Sequence, residues 1–145
     1  MKIKIILLSF SFFMLANIGF AQKGGQKSII TQVSIKKYHE IDELERMKKG
    51  QLITLYIERI ESLAKMLPYI AYSTKPGITM DDIGIPNTKD NNKALEEEHE
   101  AVRLFILETK KFQQTLLPYT DTSNLINAIL FYEEIFKSIH QYGDY

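Results

Sequence analysis

Leu125-Ile-Asn-Ala-Ile-Leu-Phe-Tyr-Glu-Glu-Ile-Phe-Lys-Ser-Ile139 is the stretch from which the fold is read. Leu125, Ile129, Tyr132, Phe136 and Ile139 fall at spacings of four, three, four and three, which is one face of an α-helix. From Leu125 to Tyr132 the segment is apolar on nearly every side, which marks the most deeply placed helix of the chain. Asp121-Thr-Ser123 offers N-cap residue types ahead of it, and Gly143 marks its end after about Tyr142.

Moving back along the chain, the same period recurs twice. Leu95, Val102, Phe105 (with Ile106), Thr109, Phe112 and Leu116 predict a helix from about Asn91 to Leu117, closed by Pro118. Glu96, Glu97, Glu98 and Glu100 near its start and Lys110 and Lys111 near its end complement the helix dipole. Ile41, Leu44, Leu52, Leu55, Tyr56, Ile60, Leu63, Leu67 and Ile70 predict another helix from about Tyr38 to Leu67, roughly 45 Å long at 1.5 Å per residue, with Pro68 ending it. Gly50 would weaken its middle by roughly 1 kcal/mol relative to Ala. Ser28 to Ile35 is β-branched and fits either a backward extension of that helix or an extended arm. The fold expected is all-α: an antiparallel three-helix bundle of long helices, formed by residues 22–145 as one domain.

Met66-Leu-Pro-Tyr69 and Leu116-Leu-Pro-Tyr119 echo each other 50 residues apart. Little else aligns at that offset, so two similar ways of ending a helix explain the echo better than a duplication. Between the first two helices lies a crossover, Tyr72 to Asp90, longer than the roughly 2–8 residues that bundle connections need. Lys75-Pro-Gly77 and Ile85-Pro-Asn87 are turn-formers. Ile78, Met80, Ile83 and Ile85 make the segment too apolar for disorder, so an ordered loop is expected. These four side chains either plug the open end of the bundle or, beside Tyr69 and Tyr72, form a patch for a protein partner.

The N-terminus bears on location. Lys2 and Lys4 precede an apolar run from Ile5 to Ala16, and Gly19 and Ala21 supply small residues at −3 and −1. That order predicts a secretory signal peptide, residues 1–21, cleaved before Gln22. The run is too short and interrupted for a membrane span of about 20 apolar residues, so a periplasmic or secreted protein is expected. There is no cysteine, which excludes disulfides, a lipoprotein anchor, c-type haem attachment, thiolate zinc and a thiol nucleophile. Without Lys2 and Lys4, 16 basic residues face 18 acidic ones, a net of about −2. Only Arg46, Arg59 and Arg103 are arginines, which argues against nucleic-acid binding.

Catalytic and cofactor chemistry does not assemble. Glu96-x-x-His99 has the spacing of a carboxylate-bridged di-metal helix, but neither His39 nor His140 supplies the second motif, and its neighbours read as a solvated first turn. His39-Glu40 and His99-Glu100 lack the second histidine of a zinc peptidase helix. Met66 and His140 could in principle hold haem; Met at an apolar helix end is more often a core residue. No serine sits in a strand-to-helix elbow, and no Gly-rich phosphate loop is present. The expected function is non-catalytic, with no catalytic residue, metal or cofactor: a helical bundle acting through protein contacts in a bacterial envelope. A metal- or haem-binding bundle is the alternative, and a homo-oligomer is compatible with either.

Overall fold

The structure is a computed structural model that describes residues 26–31, 33 and 35–142. The signal segment, the junction before Gln22, Gly143 and Tyr145 lie outside the described residues. The protein is all-α. Among the described residues, four α-helices, α1 (Ile41–Glu45), α2 (Lys49–Met66), α3 (Lys89–Leu116) and α4 (Thr122–Tyr142), are joined by 3-10 turns at Leu67–Tyr69, Asp81–Ile83 and Leu117–Tyr119. Among the described residues the only β-type pairing is an isolated bridge between Ser28 and Thr79.

The helix expected from Tyr38 to Leu67 is in fact two. The chain turns at Arg46–Lys48 and restarts, with the Lys48 N–H donating to Gln51 Oε1 at 2.9 Å. The apolar stripe already thins there, since Met47 is the one apolar side chain among the residues between Leu44 and Leu52. Breaking the helix lets both leucines enter one core cluster with Leu117, Leu125, Ile126 and Ile129. Gly50 therefore sits in the opening turn of α2, not mid-helix. At the start of α3, Thr88 caps by accepting the Asn91 N–H at 3.2 Å.

Ser28 to Ile35, where described, is a non-helical arm that bends at Ile29 and Ile30. The Ile29 N–H donates to the Ile78 carbonyl at 2.8 Å, tying the arm to the crossover. The crossover is ordered around two glycines with positive φ, Gly77 (87°) and Gly84 (78°), a conformation that penalises any Cβ. Both Leu-Pro-Tyr echoes form the same 3-10 turn. They spend their side chains oppositely: the first buries Tyr69 and exposes Leu67, whereas the second buries Leu117 and exposes Tyr119.

Leu125, Ile129, Phe136 and Ile139 of α4 are buried as their spacing requires, joined by Ile126, and Tyr132 is half-buried. Along α2 and α4 the contacts advance together, from Leu52 with Ile129, through Arg59 with Glu133, to Met66 with Phe136. Along α2 and α3 they run in opposite order, from Lys49 Nζ at the Pro118 carbonyl to Tyr69 against His99. Both α3 and α4 pack on α2 rather than on each other.

Candidate functional site

Because α3 and α4 each pack on α2, exposed apolar side chains of both helices stand on either side of it, and the surface they flank is called the trough. The stripe expected to bury α3 is displaced: none of its 28 residues is fully buried, and Phe105 and Phe112 are 58 and 59 % exposed, with Leu116 nearly as open. Of that stripe, Leu95, Val102, Ile106 and Thr109 are half-buried. At 100° per residue they lie roughly 40–100° around the helix from the Phe105–Phe112 line. One neighbour needs only about a 100° apolar face. The apolar surface of α3 is wider than that, and the excess faces the trough.

The walls can be traced residue by residue. Phe105 lines one recess with Ile60 and Ala64 of α2, and another with Leu67, Pro68 and Ala101. Across the trough, Tyr132 stacks at a tilt on Tyr56 of α2, ring centroids 5.5 Å apart and hydroxyl oxygens 3.3 Å apart. Burial, with the Tyr56 hydroxyl beside it, pushes the Tyr132 phenol up to about 12, so it remains protonated and neutral at physiological pH. Phe131 lies against Tyr132 and is 62 % exposed. Its lining is mostly aromatic and aliphatic, with Glu61, Glu98 and Lys110 at the edges of the recesses, a composition that suits a packed protein contact.

The crossover residues are brought together, and most of them inward. Tyr69 and Met80 are buried with Ile29 and Ile30, while Ile83 and Ile85 pack against that cluster and Ile78 is half-buried. As partner contacts Tyr69 and Met80 are thus displaced into the interior, because the arm folds over them. Tyr72 alone stays more than half exposed, on the rim of a cleft of about 370 Å³ shared with Met80, Ile85 and Leu95. The Tyr69 hydroxyl is buried without a hydrogen-bond partner, and burial, then the charge of Glu98, raises its pKa.

The Glu96–His99 pair is turned to other tasks. Glu96 meets Lys27 at 2.6 Å, while His99 Nε2 stands 2.8 Å from the Ile29 carbonyl, to which its N–H donates, and its ring meets Tyr69 edge-on. His99 is accordingly half-buried rather than a solvated first-turn residue, since the arm covers it. Met66 is buried among Leu63, Phe136 and Ile139, and His140 Nδ1 meets the Tyr38 hydroxyl at 3.1 Å. Among the described residues no three His, Asp or Glu side chains cluster closely enough to hold a metal.

One polar cluster sits within the core. Glu133 is 1 % exposed and Arg59 5 %. Glu133 Oε1 accepts from Arg59 Nε at 2.9 Å and Nη2 at 2.6 Å and meets His39 Nδ1 at 2.9 Å, while Oε2 accepts the His39 backbone N–H at 2.6 Å. Arg59 Nη2 also donates to the Lys37 carbonyl at 2.8 Å. Burial pushes the Glu133 carboxyl up, but the hydrogen bonds from His39 and Arg59 outweigh it and hold the carboxyl below its ordinary range. The cluster staples the arm to α2 and α4. The signal for it was Glu133 itself, four residues after Ile129 and three before Phe136, and so on the buried stripe.

Comparison with protein-family models, curated proteins and solved structures returns no match for this chain.

Proposed function

We propose that this is an exported, non-catalytic helical protein that works as an accessory or adaptor through protein contacts in a bacterial envelope. The trough is the observation that carries the reading. Soluble monomers seldom leave contiguous apolar surface beyond a few hundred Å², and larger patches mark interaction sites. Its aromatic centre, Phe105, Phe112 and Phe131, has the composition in which binding energy concentrates. Residues 1–21 support export, and the exposed edge of the crossover at Tyr72 is a second, smaller contact region. A photo-reactive amino acid at position 105 tests the reading in the native host. It should capture a protein neighbour, whereas the same group at the exposed Glu97 should not; capture at neither position removes the contact reading.

A further inference from the structure

We propose that the cleft between the crossover and α3 is a binding site for a small organic cation, an ammonium group carried on an apolar body. The inference goes beyond the contact reading above and does not depend on the trough.

The first observation is an orphaned polar atom. Tyr69 is 3 % exposed, and among the described residues its hydroxyl has no hydrogen-bond partner. Folded proteins leave few such groups unpaired, and each exception asks for a reason. Tyr69 lines the cleft of about 370 Å³, and Glu98, on the same cleft, is the carboxylate whose charge acts on that hydroxyl. The hydroxyl end of the ring therefore lies toward Glu98 and the cleft.

The second is the sign of the lining. Asn91, Leu95 and Glu98 are spaced four and three apart, so one face of α3 forms the wall. The Asn91 side-chain nitrogen donates to the Pro86 carbonyl at 2.7 Å, which leaves Oδ1, an acceptor only, without a partner among the described residues. Glu98 differs from its neighbours. Glu96 is paired with Lys27 at 2.6 Å, Glu97 with Lys93 at 3.6 Å and Glu100 with Arg103 at 2.7 Å, whereas Glu98 has no cationic partner among the described residues. None of the described residues lining the cleft is basic. Two acceptors, a hydroxyl and one uncompensated negative charge call for a ligand that donates and is positive. An ammonium group has three donors and no acceptor.

The third is the rest of the wall. Ile29, Met80, Ile85 and Leu95 are apolar, and Tyr72, about half exposed, stands at the rim, where a cation meets the face of its ring. The volume is at the lower end of small-molecule sites, about 300–1,000 Å³, which limits the apolar body to about a short alkyl chain or a single ring. A second cleft that Tyr69 also lines, of about 500 Å³, supplies the contrast. Its charges are spent on each other, Lys27 with Glu96 and Arg103 with Glu100.

The test is a titration of protein purified from cells expressing the full chain, followed by backbone amide NMR shifts. The probe is hexylammonium, with hexanol and hexanoate as neutral and anionic probes of matched length. Hexylammonium should move Tyr72, Met80, Asn91, Leu95 and Glu98 and saturate, with hexanoate at least about tenfold weaker. Glu98→Gln, an exposed change, should weaken hexylammonium about tenfold and leave hexanol unchanged, while Glu97→Gln should alter neither. Tyr69→Phe should weaken hexylammonium several-fold and leave the ligand-free melting temperature unchanged or higher, since the hydroxyl removed has no partner to lose. Hexanol or hexanoate binding as tightly as hexylammonium, equal losses in Glu97→Gln and Glu98→Gln, or Tyr69→Phe melting well below wild type overturns the site. A cleft that hexylammonium leaves unmoved also overturns it, and capture of a protein by a photo-reactive residue at position 72 would then assign the cleft to the contact surface. Capture through position 105 is read separately, so the contact reading stands or falls on its own.

Discussion

Replacing Glu133 by Gln should cost this protein a large part of its stability without changing the shape of any side chain. The buried Arg59 guanidinium would keep only the Lys37 carbonyl and an uncharged amide as partners. Breaking one side of a buried ion pair costs about 3–5 kcal/mol, because the remaining charge is held away from water without compensation. In a chain of this size that lowers the melting temperature by about 10–20 °C. Replacing both members, Glu133→Leu with Arg59→Met, should recover most of the loss, since apolar isosteres commonly match a buried pair. Recovery should fall short by roughly 1 kcal/mol for each of the His39 N–H and Lys37 carbonyl left unpartnered. Acid carries the same information. The folded Glu133 carboxyl titrates below its ordinary value of 4.5, so its contribution is complete above about pH 4.5 and drains away as the pH falls through the folded value. Exposed carboxylates such as Glu43 and Glu96 are lowered as well, by their lysine partners Lys37 and Lys27, so only the difference between wild type and Glu133→Gln reports on this site. Urea melts at neutral and acid pH measure it. A Gln variant within about 0.5 kcal/mol of wild type, the range of an ordinary surface change, refutes the reasoning.

Three further outcomes are expected. Ile129→Ala or Phe136→Ala should each cost about 2–5 kcal/mol in urea melts, and His99→Ala about 1 kcal/mol for the lost bond to the Ile29 carbonyl. Met80→Ser with Ile83→Ser should lower the melting temperature, since Met80 is buried under the arm; unchanged melting with a lost cross-linked complex would instead make the crossover the contact surface. The exported protein should show by intact mass an N-terminus at Gln22 or its pyroglutamate, and a membrane-bound product retaining Met1 would make the segment an anchor.

The all-α class and the core of α4 were legible in the chain because a 4-3-4-3 spacing admits one geometry when the helix is buried on that side. The orientation of α3 was not. Its apolar residues cover more than one face, and periodicity alone does not say which part a single neighbour will take. The break at Arg46–Lys48 showed only as a gap in the stripe, which a cap at Gln51 turned into a restart. Burial of Tyr69, His99 and Met80 depended on the arm, whose β-branched residues carry no period that fixes where it lies. The Arg59–Glu133 pair was only half visible: Glu133 sits on the buried stripe of α4, but its partner is 74 positions away and no spacing links the two.

A helix of 28 residues held along one side has a consequence for how the protein breathes. With no fully buried side chain, α3 can detach at a cost well below that of unfolding α2 and α4, which share the main core. Backbone amides of residues 89–116 should then exchange with deuterated solvent ahead of those in 125–139. Whatever settles in the trough will slow that exchange, so the protection of α3 reports occupancy from within the chain.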